Sequence, residues 1–162
     1  MTQQAWTAGR LFSSARQDWG TPDALFAAVD REFGFVLDAA ATAENSKCAQ
    51  YLSEAEDGLT QDWSRYEGAV WLNPPYGRAV GDWVRKACEE SRRGVAVVVL
   101  TFARTDTKWW RDWAMQAAEI RLIPGRVTFA GADNCAPAPS CLLVFDERLR
   151  CPRFVMQELP RR

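Results

Sequence analysis

Histidine is absent from the sequence, so the side chain most often used for acid–base catalysis near neutral pH is missing. A Ser-His-Asp triad and a Cys-His pair are both excluded. Cysteine is present but scattered, and no two cysteines stand in a Cys-x-x-Cys spacing, which favours neither a zinc site nor a disulfide framework. The five positions are Cys48, Cys88, Cys135, Cys141 and Cys151. We therefore expect no metal, and a chemistry that works without imidazole.

Long hydrophobic runs and an excess of basic charge are also lacking. The longest apolar run, at 95–100, is far too short to cross a bilayer. The N-terminal residues show no basic segment followed by an apolar one, so we predict no secretory signal, no membrane partner and a location in the cytoplasm. The 20 basic and 21 acidic residues give a net charge of −1. This balance alone argues mildly against nucleic-acid binding.

Apolar periodicity and turn residues divide the chain into alternating strands and helices. We predict a loose, flexible arm at 1–18 and one domain at 19–162, a length typical of a single core. Thr21 is expected to cap the first helix, with Pro22 in its first turn and Gly34 at its end. Small and acidic side chains at 39–66 predict short helical turns and loops. The remaining predicted elements are strands at 35–38, 69–72, 95–100 and 119–123, helices at 78–92 and 106–118, and an antiparallel pair at 127–129 and 141–145.

The order strand, helix, strand, helix, strand predicts an α/β fold with a doubly wound, mostly parallel sheet and an antiparallel C-terminal strand. The unbroken apolar character of 95–100 is typical of a central strand buried on both faces. Ligands of such sheets bind beyond the carboxyl ends of the strands. Two predicted strands end on polar residues, Asp38 and Asn73, and we expect both to face one crevice.

The loop from Asn73 to Tyr76, Asn-Pro-Pro-Tyr, follows a buried strand and precedes an amphipathic helix. A plain strand-ending turn is one interpretation, since Asn-Pro and Pro-Tyr-Gly commonly form turns. The loop also suits methyl transfer to an exocyclic amine. The side-chain oxygen of Asn73 and the carbonyl of Pro74, whose direction Pro75 restricts, are acceptors for the amine hydrogens, and Tyr76 offers a face for a base rotated out of a duplex. Methylation at carbon-5 of cytosine would need a cysteine here, and there is none.

The order of motifs along the chain resembles the phage N-6-adenine methyltransferase (Dam) family from about residue 19 to 146. The resemblance implies a Rossmann-like, S-adenosylmethionine-dependent enzyme that methylates the N6 amino group of adenine in double-stranded DNA. It also implies a phage or prophage protein, of the kind linked to restriction and modification, without a large separate target-recognition domain. The motifs are Trp19-x-Thr21-Pro22, Leu37-Asp-Ala-Ala40, Glu56-Asp-Gly-Leu59, Asp62-Trp63, Val70-Trp-Leu-Asn-Pro-Pro-Tyr-Gly77, Arg104-Thr-Asp-Thr107 with Trp109-Trp110, Gly125-Arg126-x-x-Phe129 and Ala136-Pro-x-Pro-Ser140.

Cofactor-binding positions follow from this resemblance, and the residue chemistry is compatible with it. Asp38 suits the positive amino end of S-adenosylmethionine, although a strand-ending aspartate also commonly caps the next turn. Small residues after Asp38 let a ligand approach the backbone, where most methyltransferases have glycine; the usual Phe-x-Gly-x-Gly is absent. Glu44 is a candidate for the ribose hydroxyls. The predicted cofactor-binding residues are Thr21, Pro22, Asp38, Ala39, Ala40, Asp57 and Asn73.

Target binding is assigned to Arg104, Arg126, Tyr76 and the loop at 130–140. Helix capping by Thr105 or Asp106 is an alternative role for the segment around Arg104, and the spacing of the paired tryptophans at 109 and 110 favours core packing over base stacking. Two functional alternatives remain open. The same motif occurs in methyltransferases of RNA and of protein glutamine, and the chain could be a non-catalytic binding module on a methyltransferase-like fold.

Overall fold

A single mixed sheet organises the part of the chain that the computed structural model describes, residues 19–132, 134–149 and 153–157. The predicted arm at 1–18 lies outside these residues. The helices are α1 (Asp23–Phe33), α2 (Val80–Ser91) and α3 (Lys108–Asp112), with 3₁₀ turns at Trp63–Arg65 and Ala114–Gln116. The strands are β1 (Phe35–Asp38), β2 (Gln50–Tyr51), β3 (Ala69–Leu72), β4 (Val97–Phe102), β5 (Glu119–Leu122), β6 (Ser140–Phe145) and β7 (Arg153–Met156).

Within the described residues the strands are ordered β2-β1-β3-β4-β6-β5-β7. Strand β6 runs antiparallel to its neighbours β4 and β5, and the other pairs are parallel. The α/β class and the mostly parallel, Rossmann-like sheet with an antiparallel strand near the C-terminal end are confirmed. Because β1 and β3 are adjacent and parallel, their carboxyl ends meet at one edge of the sheet.

Helices cover both faces of the sheet. On one face Val99 of β4 packs in the same apolar cluster as Val84 of α2, and on the other Val98 of β4 packs with Val29 of α1. Alternate residues of a strand point to opposite faces, so a strand covered on both sides is mostly apolar. All six residues of β4 are buried, which explains the unbroken apolar run in its sequence.

The start of α1 and the length of the helix predicted at 106–118 differ from expectation. Thr21 does not cap α1: Pro22 occupies the N-cap position without a side-chain hydrogen bond, and Thr21 is buried instead. Gly34 ends the helix as predicted, with a left-handed backbone (φ 61°) that glycine tolerates well. Helix α3 is short because the backbone of Trp113 leaves the α-helical region (φ −124°, ψ −50°). Thr107 caps it by accepting from the backbone N–H of Trp110, so neither Thr105 nor Asp106 is the cap.

The antiparallel pair predicted at 127–129 and 141–145 is wrong. Strand β6 pairs with β4 and β5, while residues 127–129 form no strand. The carbonyl of Val127 accepts from the N–H of Ala136 (2.7 Å), and Ala130 forms an isolated bridge with Gly20. The backbone contacts of this segment are thus made with Ala136 and Gly20 and not with β6. Strands β2 and β7 were not predicted; β2 has two residues, and three of the four β7 residues are exposed.

Candidate functional site

A cavity of about 490 Å³ opens beyond the carboxyl ends of β1 and β3, where the topology brings the loops after these strands together. Seven predicted site residues line it: Thr21, Asp38, Ala40, Asp57, Asn73, Pro74 and Pro75. They come from the turn before α1, the loop after β1, the segment after β2 and the loop after β3. The volume lies within the ordinary range for a small-molecule or cofactor site.

Asp38 is a buried carboxyl group with one oxygen unused. Its Oδ2 accepts from the backbone N–H of Lys47 at 3.0 Å, and its Oδ1 is buried without a hydrogen-bond partner. Burial raises the pKa of Asp38 to about 6, against the opposing hydrogen bonds from the backbones of Lys47 and Ala40. A buried carboxylate with one oxygen unpaired is costly, so Asp38 favours a cationic or hydrogen-bond-donating ligand.

Asn73, at the end of β3, has its amide orientation determined by a neighbour. Its Nδ2 donates to the backbone carbonyl of Trp19, and because a carbonyl cannot donate, the amide nitrogen must be the atom on that side. The other amide atom, Oδ1, is buried without a partner. Asn73 therefore presents an acceptor oxygen in a residue that lines the cavity.

Tyr76 has a different position from that expected of a base-stacking face. Its side chain is buried, its ring packs against Phe102 (centroids 4.4 Å apart) and Phe129 (5.8 Å), and its hydroxyl donates to the carbonyl of Leu100 at 3.4 Å. Burial raises the pKa of Tyr76 above its usual range, so the phenol stays protonated. Tyr76 is not among the described residues that line the cavity; it anchors the end of the loop in the core.

Asp57 and Gly58 line the cavity and lie close to the loop after β1. Asp57 is a non-glycine residue with positive φ (50°). A Cβ on Gly58 would clash with the carbonyl oxygen of Ala39 and lie 3.0 Å from the Trp83 ring, and the Gly58 carbonyl accepts from the indole N–H of Trp63 at 2.9 Å. Ala39 is itself fully buried, so it serves the site by allowing this close approach and not as part of the cavity lining.

Replacing Gly58 by alanine should reduce the free energy of unfolding by about 2 kcal/mol, the usual cost of overpacking a fixed backbone contact, and weaken ligand binding in the cavity. Chemical denaturation would measure the stability, and titration calorimetry with S-adenosylmethionine, the cofactor that the sequence resemblance implies, would measure the binding. Gly94→Ala is the control. A Cβ there meets no atom within 4 Å, so only its backbone conformation is penalised, by about 1 kcal/mol. Unchanged ligand affinity in Gly58→Ala would contradict the assignment of this cavity as the ligand-binding site.

Several cavity residues were missed by sequence reasoning, among them Trp19, Glu54 and Trp83. Of the described residues, Glu54 lines the cavity and Glu44 does not. Glu44 lines a more open neighbouring depression, which Glu54 also borders. The position of Glu54 is what could have indicated its place in the cavity, because Glu54 follows β2, and β2 pairs in parallel with β1. A strand of only two residues leaves too weak a pattern to find this from sequence.

The predicted DNA-contacting arginines and Pro22 lie outside the cavity lining. Arg104 is half-buried just after β4, and Arg126 is exposed, with its Nη1 donating to the carbonyl of Ala136 at 3.4 Å. Over the ranges described, no group of three or more histidine, cysteine, aspartate or glutamate side chains is arranged to hold a metal ion. No helix in those ranges is long and apolar enough to span a membrane.

Known proteins with similar sequences include two DNA N-6-adenine-methyltransferases of phages. The family model described as DNA N-6-adenine-methyltransferase (Dam) matches residues 9–161. A DNA N-6-adenine-methyltransferase of Escherichia phage T1 is 34% identical over 116 residues, which cover 71% of this chain and 48% of the relative. A DNA N-6-adenine-methyltransferase of Haemophilus phage HP1 is 30% identical over 117 residues, covering 70% of this chain and 66% of the relative. The chain therefore spans about half the length of the T1 protein and about two thirds of the HP1 protein.

Proposed function

Because the chain belongs to the DNA N-6-adenine-methyltransferase (Dam) family, we propose that it is a site-specific DNA adenine methyltransferase. In this proposal a methyl group passes from S-adenosylmethionine to the exocyclic N6 amino group of an adenine rotated out of double-stranded DNA. The observation that carries the proposal is the buried, unpartnered Oδ1 of Asn73, because Asn73 lines the same cavity as Asp38, whose Oδ1 is also unpartnered. One is an acceptor for an amine, and the other is a partner for a cation.

The cavity residues fit S-adenosylmethionine. When bound, this cofactor supplies a methyl group activated by a sulfonium centre. Asp38 would hold the positive amino group through its free oxygen, and Thr21 and Ala40 would line the path of the amino-acid part. Asp57 and the ring of Trp83 would meet the adenine end. Each of these residues contributes binding and orientation, which is the main requirement for an in-line displacement.

Asn73 and Pro74 would act on the target amine. The lone pair of an adenine amino nitrogen is delocalised into the ring, and acceptors on its two hydrogens draw the nitrogen toward a tetrahedral shape that localises the pair. The Oδ1 of Asn73 accepts one hydrogen bond and the carbonyl of Pro74 the other. Pro75 restricts the backbone of Pro74 to extended conformations, which preorganises that carbonyl. After transfer the nitrogen is positively charged and acidic, and it loses its extra proton to solvent.

Glu54 is proposed to hold the ribose hydroxyls of the cofactor in place of Glu44. A carboxylate accepts from two hydroxyls at once, and Glu54 lines the cavity after β2. Glu54→Gln should weaken S-adenosylmethionine binding by about tenfold, roughly one charge-assisted hydrogen bond, as measured by calorimetry. Glu44→Gln is the matched control and should bind normally. If Glu44→Gln bound S-adenosylmethionine more weakly than Glu54→Gln, the role would belong to Glu44.

Duplex DNA would be read by loops, with Arg104, Arg126 and the loop at 130–140 as contacts to phosphates and base edges. We propose a short recognition sequence because these contacts would all come from loops of the single sheet that the described residues form. Footprints that show a long, stringent site for the monomer would contradict this.

Transfer of labelled methyl groups from S-adenosylmethionine to DNA, RNA and bacterial protein extract would test the function. We expect label in DNA, on N6 of adenine. Label found only in RNA or on protein glutamine would show that the same chemistry acts on another substrate. An absence of S-adenosylmethionine binding by calorimetry would mark the chain as a non-catalytic binding module and end the proposal.

A further inference from the structure

Besides Asp38 and Asn73, a third residue lining the cavity has a buried polar atom without a partner, the indole nitrogen of Trp19. The backbone carbonyl of Trp19 receives the Nδ2 hydrogen bond of Asn73, so the two residues are directly joined. One unpaired donor and one unpaired acceptor therefore lie on neighbouring residues of the same site.

Two contacts hold Trp19 and the following residue, Gly20, in place. The N–H of Ala130 donates to the carbonyl of Gly20 at 2.8 Å, and the Trp19 ring packs against Phe129 with centroids 5.4 Å apart. Most buried polar groups in folded proteins have a partner, and leaving one without a partner costs about 1–3 kcal/mol. The indole N–H only donates, so pairing with Oδ1 of Asn73 would satisfy both groups. The two do not pair with each other, so a ligand that pairs with both would remove both costs.

A third group that satisfies both must carry a donor next to an acceptor. The edge of adenine has this pattern, because the N6 amino group is flanked by the ring nitrogens N1 and N7, both acceptors. Guanine has a carbonyl oxygen at the corresponding position and thymine has one at position 4, so both would place an acceptor against the Asn73 oxygen. Cytosine shares the amino–nitrogen pattern. The pair therefore distinguishes amino bases from keto bases.

We propose that the indole N–H of Trp19 donates a hydrogen bond to the ring nitrogen beside the target amine, N1 or N7 of the adenine, while the Asn73 oxygen accepts from the amine. This inference rests on the proposed function and adds to it a specificity-determining residue. The contact would also set the rotation of the base about its amine, so that the nitrogen lone pair is aligned for the transfer.

The test combines a protein change with a change of one substrate atom. Wild type and Trp19→Phe, which keeps a ring against Phe129 and loses the N–H, are assayed in single turnover at saturating S-adenosylmethionine. The DNA duplexes carry adenine, 7-deazaadenine or 1-deazaadenine at a target position first mapped by sequencing. We expect one analogue to slow wild type by about tenfold, Trp19→Phe to slow transfer to adenine by a similar factor, and that analogue to cause no further loss in Trp19→Phe.

Trp71→Phe is the matched control. The Nε1 of Trp71 is also buried without a partner, but Trp71 is a core residue of β3 outside the cavity lining. This variant should keep the sensitivity of wild type to the analogue. A general effect of removing a buried indole N–H would appear in both variants, and the proposed contact in Trp19→Phe alone.

Wild type that methylates adenine but treats both analogues like adenine would overturn the inference and leave the proposed function standing. If the analogue slowed Trp19→Phe by the same factor as wild type, the two losses would be independent, and the inference would be overturned as well. Weaker cofactor binding in Trp19→Phe with normal single-turnover rates would assign the N–H to the cofactor instead. If Trp19→Phe does not fold, the wild-type comparison of the three duplexes decides the matter. Wild type that transfers no methyl group to any DNA would remove the proposed function and this inference together.

Discussion

Asn73→Ala should lose methyl transfer by about 100-fold to 1000-fold while it keeps the affinity for S-adenosylmethionine. The size follows from the removal of one preorganised group that acts on the reacting atoms in the transition state. A loss of this kind appears in kcat and in kcat/KM together. Single-turnover rates and calorimetry on the same preparations would separate the chemical step from cofactor binding.

Asn73→Asp is the control for the role of the oxygen. It keeps an acceptor beside the amine but loses the Nδ2 hydrogen bond to the Trp19 carbonyl, so its activity should fall between those of wild type and Asn73→Ala. Near-normal rates in Asn73→Ala would show that the unpartnered oxygen has no part in transfer. A loss of S-adenosylmethionine binding equal to the loss in rate would assign Asn73 to the cofactor alone.

Asp38→Asn should have opposite effects on stability and on binding. The folded-state pKa of Asp38 is about 6, above its ordinary value of 3.8. The favourable contribution of the neutral carboxyl group is therefore fully present below pH 3.8 and is lost as the pH rises through 6. At pH 8 the buried charge costs about 3 kcal/mol. Asparagine removes that cost and loses about one hydrogen bond, so we expect a gain of about 1–2 kcal/mol at pH 8 and little change at pH 4.

Binding should change in the other direction, because the negative charge of Asp38 is what a cationic amino group requires. Asp38→Asn should bind S-adenosylmethionine about 10-fold to 100-fold more weakly at pH 7.5, the worth of a charge-assisted hydrogen bond. Wild-type affinity should fall by about tenfold per pH unit below 6, as the carboxylate is protonated. The variant should show no such slope. Calorimetry between pH 5 and 8 would measure the affinities, and denaturation curves at pH 4 and pH 8 would measure the stabilities. Equal affinity of the two proteins at pH 7.5, or equal stability at pH 8, would contradict this role of Asp38.

The strands that place Asn73 and Asp38 were predictable because their signals are local. Strands β1 and β3 are short apolar runs that end at polar residues, and two prolines after Asn73 stop any further ladder. Their meeting at one edge of the sheet follows from parallel order alone. The residues that complete the cavity could not be found in this way. Glu54 depends on β2, a strand of two residues that exists only through its pairing with β1.

The position of Tyr76 shows a second limit of local reasoning. The tetrapeptide places a tyrosine at the end of the loop, but the direction of its ring is decided by Phe102 and Phe129, which lie far along the chain. The partners of β6 are likewise set by the rest of the sheet, since β6 enters between β4 and β5. Trp19 joins the site through the hydrogen bond between its backbone carbonyl and Asn73, a contact between residues 54 positions apart in sequence.

Direct sequencing of modified bases in genomic DNA, after expression in a host free of its own methylation, tests the central claim most directly. We predict N6-methyladenine at recurrent sites in cells that make the wild-type protein, and unmodified adenine at those sites in cells that make Asn73→Ala at equal abundance. Unmodified DNA in the wild-type culture, or equal modification by the two proteins, would contradict the account.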